Sequence, residues 1–231
     1  MSKKFFAVFS FISCIVAATA AETQERIDNA WGDQDTNVFV GGISPWGTYV
    51  VMQRVSDGQC RFHYVGDLPD VVGGPGGLNN NYMFYSGNGD DQILLGQSAW
   101  ICGYHVSLLR YNGHYFDVHA GGGDDRIACI GDQGDSWFYG DDGDDFIEAA
   151  DYPGVHVYGG NGNDEIFGAD PTNNEVLYGG AGNDAICDAR YYDSEAYIID
   201  GGTGTDCSPG DAAIMRNIES SNCGSRCVYI Y

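Results

Sequence analysis

A glycine-rich turn motif recurs six times in this chain, and each copy ends on an aspartate at the same position. The copies are SGNGDD at Ser86–Asp91, AGGGDD at Ala120–Asp125, GDDGDD at Gly140–Asp145, GGNGND at Gly159–Asp164, GGAGND at Gly179–Asp184 and GGTGTD at Gly201–Asp206. The last four copies begin 19, 20 and 22 residues apart. A period of this length is typical of solenoids, in which each repeat is one coil of a stack. We therefore expect the six turns to lie along one edge of such a stack.

Apolar residues flank each turn at the spacing of a β-strand. Two places before each turn lie Phe84, Val118, Phe138, Val157, Leu177 and Ile199. Two places after the final aspartates lie Ile93, Ile127, Ile147, Ile166 and Ile186, whereas Ser208 breaks the pattern. Alternate residues of a strand share one face, so both sets are expected inside. The predicted fold class is all-β, a parallel β-roll or β-solenoid with about 20 residues per coil and irregular terminal caps.

The chain divides by composition into segments of one domain. Residues 1–20 are the predicted signal peptide, 21–81 an N-terminal cap with degenerate coils, 82–210 the β-roll and 211–231 a C-terminal cap. Looser return turns are expected near Gly131–Asp135, Asp151–Gly154, Asp170–Asn174 and Asp188–Glu195. The other expectations are decayed turns at Gly41–Ser44 and Gly66–Asp70, a bulge around Trp100–His114, and a short helix over Asp211–Asn217.

The first twenty residues have the pattern of a secretory signal. Lys3 and Lys4 precede the apolar run Phe5–Val16, which is too short to span a bilayer comfortably, and Ala18-Thr19-Ala20 has the small-x-small form of a cleavage site. The sequence therefore predicts a secreted or extracellular protein, with the periplasm and the cell surface as alternatives. No membrane insertion is expected once the signal is removed.

The charge restricts the possible binding partners, and the cysteine content indicates the cellular compartment. Asp and Glu number 33 against 10 Lys and Arg, for a formal charge of −23. This balance excludes nucleic acid and anionic membranes as electrostatic partners. Beyond the signal, seven cysteines are expected to form disulfides in an oxidising compartment and to leave one thiol over. A Cys207–Cys223 bridge is favoured, with Cys187–Cys227 as a competing pair.

The turns have the oxygen donors that a hard cation needs. Calcium takes six to eight oxygen ligands, and glycines allow backbone carbonyls to approach without side-chain clashes. The main candidate ligands are the sixth-position aspartates Asp91, Asp125, Asp145, Asp164, Asp184 and Asp206. Secondary donors at the fifth position are Asp90, Asp124, Asp144, Asn163 and Asn183. One turn offers too few ligands, so about five Ca²⁺ ions are expected in the gaps between six stacked turns. Alternatively, these Asp and Asn residues only form turns by bonding their own backbone.

GGNGNDEIF and GGAGNDAIC resemble the nonapeptide of the RTX, or hemolysin-type calcium-binding, repeat family. The resemblance is strong over Gly140–Asp206, moderate from Ser86 and absent elsewhere. It implies a parallel β-roll with calcium between successive turns, bound by the six aspartates and by carbonyls of turn glycines. Those glycines are Gly159, Gly160, Gly162, Gly179, Gly180 and Gly182. The chain departs from the family by having one motif per coil, an N-terminal signal and several cysteines.

Two other groups of residues, a set of histidines and a set of tyrosines, suggest alternative functions. His105, His114 and His119, with Asp117, cluster in sequence, but no HExxH or GxSxG motif accompanies them. Tyr139, Tyr158 and Tyr178 precede three turns and are expected to stack as an outward ladder, a flat surface for carbohydrate or another surface protein. The preferred interpretation is an exported calcium-binding structural or binding module without catalysis. The runner-up is a surface adhesin or carbohydrate-binding protein that uses the ladder, and a polysaccharide-active enzyme is third.

Overall fold

A computed structural model describes residues 25–43, 47–66, 81–95, 99–106, 115–130, 136–150, 155–168, 175–187, 196–209 and 212–227. Within these ranges the protein is all-β, with eighteen strands and no helix. The expected signal peptide, His114, the four return turns and residues 67–70 lie outside the described residues. No helix in the described part of the chain is long and apolar enough to cross a membrane.

The eighteen strands are short. Those before the third glycine turn are β1 (Glu25–Asp28), β2 (Thr36–Ile43), β3 (Gly47–Arg54), β4 (Cys60–Gly66), β5 (Asn81–Gly87), β6 (Gln92–Leu95), β7 (Ala99–Ile101), β8 (Tyr104–Val106), β9 (Tyr115–Gly122) and β10 (Arg126–Ile130). The others are β11 (Trp137–Asp142), β12 (Phe146–Ala150), β13 (His156–Asn161), β14 (Glu165–Phe167), β15 (Val176–Gly182), β16 (Ala185–Cys187), β17 (Ala196–Gly204) and β18 (Ala212–Arg216).

Two eight-stranded sheets contain all of these strands except β7 and β8. Sheet 1 has the order β1-β5-β9-β11-β13-β15-β17-β18, and all its neighbours are parallel. Sheet 2 has the order β16-β14-β12-β10-β6-β2-β3-β4, parallel from β16 to β2 and antiparallel beyond. The first five glycine turns each join a strand of sheet 1 to the next strand of sheet 2. Equivalent motif residues pair across strands, as Ile127 with Ile147 and Ile147 with Ile166.

The interior predicted from strand spacing is confirmed. The eleven apolar residues that flank the turns are all buried and belong to one core cluster between the sheets. Ser208, which breaks the isoleucine pattern, is also buried. Because the same positions recur in register, one isoleucine contacts the next along the stack, and the core is a continuous column of side chains.

The predicted decayed turn at Gly41–Ser44 is wrong for the residues described. Gly41, Gly42 and Ile43 continue β2 and pair antiparallel with Tyr49, Thr48 and Gly47 of β3. Strands β2, β3 and β4 therefore form a meander that ends sheet 2. The physical reason is the pairing of β2 with β3, which extends over eight residues and outweighs the local turn preference of a Gly-Gly pair.

The predicted helix over Asp211–Asn217 is also wrong. Ala212–Arg216 forms β18, which pairs parallel with β17 at the edge of sheet 1. A segment of this length is too short to nucleate a helix by itself, because the first hydrogen-bonded turn costs more than it returns. The exposed edge of β17, by contrast, offers backbone donors and acceptors at once.

The predicted bulge around Trp100–His114 is described up to residue 106, and this part belongs to a β-hairpin. Strands β7 and β8 pair antiparallel, and Ile101 and Val106 pack on Phe39 and Val51 in a second apolar cluster. Phe39 and Val51 alternate along their strands with residues of the main core, so this cluster lies on the outer face of sheet 2. Trp100 points away from the cluster and is 76% exposed.

Three disulfides link the parts of the chain that the structure describes. Cys207–Cys223 confirms the favoured bridge, and Cys187–Cys227 forms beside it as a second bridge instead of competing with it. Cys60–Cys102 ties β4 to the β7–β8 hairpin. Among the described cysteines, Cys129 is left as a buried free thiol, in agreement with the expected odd cysteine.

Candidate functional site

The glycine turns stack backbone against backbone. The N–H of Gly143 donates to the carbonyl of Asn161 at 2.8 Å, and the N–H of Gly162 donates to that of Ala181 at 2.8 Å. A side chain at Gly162 would overlap the carbonyl of Gly143 in the preceding turn. Glycine is required there both for this close approach and for the positive φ of 142°. The turns are therefore held in fixed register with one another.

The sixth-position aspartates lie in one buried row, each at most 3% exposed. Oδ1 of each of the last five aspartates accepts a hydrogen bond from the backbone N–H of the sixth-position aspartate in the preceding turn. The links are Asp91 N–H to Asp125 at 2.7 Å, Asp125 to Asp145 at 2.8 Å, Asp145 to Asp164 at 2.9 Å, Asp164 to Asp184 at 2.9 Å and Asp184 to Asp206 at 2.8 Å. The structure thus brings together all six candidate main ligands predicted from the sequence.

The second oxygen of these carboxylates is left without a partner in five of the six turns. Oδ2 of Asp125, Asp145, Asp164, Asp184 and Asp206 is buried and makes no hydrogen bond. Asp91 differs because Ser86, the first residue of its turn, donates its hydroxyl to Asp91 Oδ2. Burying an acceptor without a partner costs free energy, and more if it is charged. Each of the five therefore needs a proton or a cation.

Burial also raises the pKa of the row. Desolvation is the largest cause in every case. It is only partly opposed by hydrogen bonds, which come from the backbone and, for Asp91, first from the Ser86 hydroxyl. The pKa rises to about 7 for Asp91 and Asp145, about 8 for Asp125 and Asp164 and about 6 for Asp184, and it is also raised for Asp206. The charged form is thus disfavoured in the absence of a neutralising cation.

Oxygen atoms converge beside the first-position glycines of the last four turns. A side chain at Gly159 would overlap both Asp164 Oδ2 and the carbonyl oxygen of Gly179. The same pairing recurs at Gly140 with Asp145 and Gly159, at Gly179 with Asp184 and Gly201, and at Gly201 with Asp206 and Asn217. Each place is a cradle formed by one carboxylate oxygen and one carbonyl of the following repeat. Ser86 and Ala120 put a side chain at the equivalent position of the first two turns.

The fifth-position residues form a second row, which is exposed and runs in the opposite sense. Here the backbone N–H of each turn donates to the side-chain oxygen of the turn before it. Asp124 N–H donates to Asp90 at 3.0 Å, Asp144 to Asp124 at 3.0 Å, Asn163 to Asp144 at 2.7 Å and Asn183 to Asn163 at 2.9 Å. These five residues, which the sequence predicts as secondary donors, are exposed and lie next to the buried aspartates in their turns.

Two members of the row were missed in the sequence. At one end, Thr36 takes the sixth position, and its N–H donates to Asp91 Oδ1 at 2.6 Å. At the other end, Glu219 Oε2 accepts the N–H of Asp206 at 2.8 Å. The sequence does indicate the place of Thr36, because the segment Gly32–Asp35 directly precedes it and contains a glycine and two aspartates, like the other turns. The repeat is thus closed at both ends by residues that are not aspartate.

The two described histidines of the sequence cluster, His105 and His119, lie in different sheets. His105 lies on the β7–β8 hairpin against Trp100, whereas His119 lies in sheet 1 between the rings of Tyr85 and Tyr139. His119 Nδ1 is 3.2 Å from Asp141 Oδ2. Within the described ranges, no group of three His, Cys, Asp or Glu side chains is arranged to hold a metal ion by itself.

The predicted tyrosine ladder is present, and it is longer than expected. Tyr85, His119, Tyr139, Tyr158 and Tyr178 form one aromatic column on the outer face of sheet 1, with adjacent ring centroids 4.6, 4.3, 4.9 and 5.1 Å apart. Adjacent rings are within 9° of parallel. The guanidinium of Arg26 covers the Tyr85 end at 4.0 Å. Because the rings face each other, the column presents ring edges to its surroundings and not a flat aromatic surface.

In comparisons with known proteins, no family model, no curated protein and no solved structure matches the chain. The resemblance to the RTX repeat therefore remains a prediction from the turn motifs.

Proposed function

We propose that the protein is an exported calcium-binding β-roll, in which one glycine turn per coil holds Ca²⁺ between successive coils and no catalysis takes place. The observation that carries the proposal is the row of five buried carboxylate oxygens without a hydrogen-bond partner. Oxygen donors of this kind suit calcium, which accepts carboxylates and carbonyls in flexible geometry.

The donor set fits a cation because the carboxylates do not act alone. In the last four turns, each unpartnered oxygen lies beside a carbonyl of the next repeat. Asp164 and Gly179, for example, would contribute to one site, and the exposed Asn163 lies in the same turn. Backbone carbonyls would supply much of the coordination, since in the described part of the chain no three His, Cys, Asp or Glu side chains converge on one point. The four cradles favour at least four ions.

Export is part of the proposal and rests on other observations. Three disulfides persist in oxidising compartments, and the first twenty residues have the pattern of a signal peptide. Extracellular fluid is also where calcium is abundant enough to saturate sites of millimolar affinity. A stack of coils stabilised by calcium would suit a structural or binding module that works outside the cell.

Calorimetric titration of residues 21–231 with Ca²⁺ tests the proposal. We expect at least four ions per chain, and fewer in Asp164→Ala and Asp184→Ala, because each carboxylate borders two gaps. The matched control is Asp142→Ala, an exposed third-position aspartate in a glycine turn. Absence of calcium binding, or the same stoichiometry in all four proteins, would overturn the proposal.

A further inference from the structure

The residue at the first position of each turn changes along the stack. One more turn precedes the six glycine motifs, beginning at Asn29 and ending at Thr36. Asp28 pairs in register with Tyr85, so Asn29 is the equivalent of Ser86. The described part of the stack therefore contains seven turns in one row, whose first positions hold Asn, Ser, Ala and then Gly four times.

In the two turns at the N-terminal end, the side chain at the first position donates a hydrogen bond to the side chain at the sixth. Asn29 Nδ2 donates to Thr36 Oγ1 at 3.0 Å, and the Ser86 hydroxyl donates to Asp91 Oδ2. All four residues are buried. The other oxygen of Asp91 accepts the N–H of Thr36 at 2.6 Å. Both oxygens of this carboxylate are thus bonded by groups of the chain itself.

The last four turns have no such donor, because their first residues are Gly140, Gly159, Gly179 and Gly201. In these turns Oδ2 of the sixth-position aspartate has no hydrogen-bond partner. A side chain on any of the four glycines would overlap this oxygen and a backbone carbonyl of the following repeat. A side chain and a cation would therefore compete for the same space, and glycine leaves that space open.

Ala120, in the second glycine motif, differs from both groups. It is buried, and its methyl group occupies the first position, as the side chain of Ser86 does in the preceding motif. It carries no hydroxyl, and Oδ2 of Asp125 has no hydrogen-bond partner. This turn thus has neither the donor of the turns before it nor the open space of the turns after it.

We propose that the first residue of each turn determines whether that turn takes Ca²⁺. The side chains of Asn29 and Ser86 replace the cation with a hydrogen bond, the methyl group of Ala120 blocks it, and the four glycines admit it. The inference rests on the proposed function, because it says which of the turns bind calcium. It gives four ions per chain and not the five expected from six stacked turns.

The two turns without calcium belong to a block at the N-terminal end of the stack. They join β1 to β2 and β5 to β6, and these coils pair with each other through β1–β5 and β2–β6. The meander of β2, β3 and β4 lies beside them. This block should fold without metal and offer the edges of β5 and β6 to β9 and β10, the strands of the next coil.

Calcium stoichiometry of first-position variants tests the inference in a protein of residues 21–231. We expect four ions in the wild type and one more in Ser86→Gly and in Ala120→Gly, because each change opens one space beside a carboxylate. Ser86→Ala is the matched control: it removes the same hydroxyl but keeps a methyl group in the space, so it should gain no ion.

Thermal melts in chelator at pH 7 give a second measurement, which does not require calcium. Ser86→Ala should lower the melting temperature by about 2–4 °C, since Asp91 Oδ2 loses its donor. Ala120→Ser should raise it by a similar amount, because the new hydroxyl can donate to the unpartnered Oδ2 of Asp125 as Ser86 does to Asp91.

Hydrogen exchange in chelator tests the metal-independent block. The amide of Thr36, bonded to Asp91, should stay protected, whereas the amide of Asp145, bonded to Asp164, should exchange rapidly until calcium is added. Ser86→Ala should speed exchange at Thr36 by about fivefold, the equivalent of one hydrogen bond. Equal protection of the two amides in chelator would overturn the inference.

The calorimetric outcomes separate this inference from the proposed function. If the wild type binds calcium but neither Ser86→Gly nor Ala120→Gly gains an ion, or if Ser86→Ala gains one as well, the inference alone is overturned. An unchanged melting temperature of Ser86→Ala in chelator would also overturn it. Absence of calcium binding in the wild type would overturn the proposed function, and the inference with it.

Discussion

The backbone N–H of Asp164 donates a 2.9 Å hydrogen bond to Oδ1 of Asp184, while Oδ2 of the same Asp184 carboxylate has no hydrogen-bond partner. One oxygen thus fixes the register of adjacent turns, and the other is available to a ligand. An unpartnered buried acceptor costs about 1–3 kcal/mol. Five such oxygens in one row make the turn edge costly unless a proton or a cation occupies it.

Replacing Asp164 by asparagine should have opposite effects with and without calcium. The amide oxygen of Asp164→Asn can still accept the N–H of Asp145, and its NH₂ replaces Oδ2 beside the carbonyl of Gly179. Without metal and at pH 9, where the Asp164 carboxyl with its pKa of about 8 is ionised, we expect stabilisation by about 1 kcal/mol, since an orphaned acceptor becomes a bonded donor. With calcium, we expect weaker binding because a charged ligand is lost. Thermal melts in chelator and calorimetric titrations measure the two effects.

Asp142→Asn is the control for this variant, because Asp142 is exposed in a glycine turn and already accepts a hydrogen bond from Asn161. It should change neither the melting temperature in chelator nor the calcium stoichiometry by much. A lower melting temperature for metal-free Asp164→Asn would contradict the interpretation of Oδ2 as an unsatisfied acceptor.

The metal-free protein should become more stable as the pH falls from about 9 to about 5. Burial raises the pKa of Asp125 and Asp164 from the ordinary value of 3.8 to about 8. The folded state therefore binds more protons than the unfolded state between these values, so this stability is present at low pH and is lost as the pH rises through 6–8. Denaturant midpoints at pH 5, 7 and 9 in chelator measure the trend.

Carboxylates that form ion pairs in the folded state have a lowered pKa, so they make a protein less stable as the pH falls. The direction of the trend therefore distinguishes a buried, protonated row from a row of ion-paired carboxylates. Asp164→Asn should reduce the dependence because it removes one titrating group from the row. A midpoint that is constant or that rises between pH 7 and pH 9 would show that the row is not protonated in the folded protein.

The turns and the interior were predictable because the local sequence of each repeat determines them. Glycine at positions that need positive φ, aspartate six residues into the turn and isoleucine two residues later depend little on distant contacts. The ends of the row were not predictable in the same way. Thr36 lies seven positions after Asn29, whereas Asp91 lies five positions after Ser86, so the first turn does not fit the motif.

Contacts between distant segments explain the remaining differences. Gly41 and Gly42 have turn propensity, but β3 pairs with them and keeps them extended. Three tyrosines of the aromatic column were visible from their place before the turns, and Tyr85 and His119 occupy that same place. His119 belongs to the sequence cluster of histidines, and its register in sheet 1 puts it between two tyrosine rings. The orientation of the rings could not be read from spacing.

The count of reactive thiols should change from none to one when a protein of residues 21–231 is unfolded without a reductant. Cys129 is 1% exposed, and burial raises the pKa of its thiol to about 12, so the native protein should not react with a disulfide reagent. The other six cysteines beyond residue 20 are in disulfides. Cys129→Ala should give no reactive thiol in either state. Three or more reactive thiols in denaturant would show that one of the bridges is absent.

Folding should depend on calcium most strongly above the pKa range of the aspartate row. At pH 8.5 the carboxylates of adjacent repeats are mostly ionised, and two charges about 5 Å apart repel by roughly 3 kcal/mol at an effective dielectric of 20. Repulsion along the whole row is comparable with a domain stability of about 5–15 kcal/mol.

We therefore expect chelator at pH 8.5 to remove most of the β signal in circular dichroism and calcium to restore it. Magnesium should substitute poorly, because it requires tight octahedral geometry and releases its water reluctantly. The loss should be incomplete, since Cys187–Cys227 and Cys207–Cys223 hold the C-terminal repeats together. The matched comparison is the same experiment at pH 5.5, where protons replace the cation and the chelator should have less effect. Equal spectra and melting temperatures with and without chelator at pH 8.5 would mean that packing and the backbone ladder alone stabilise the stack.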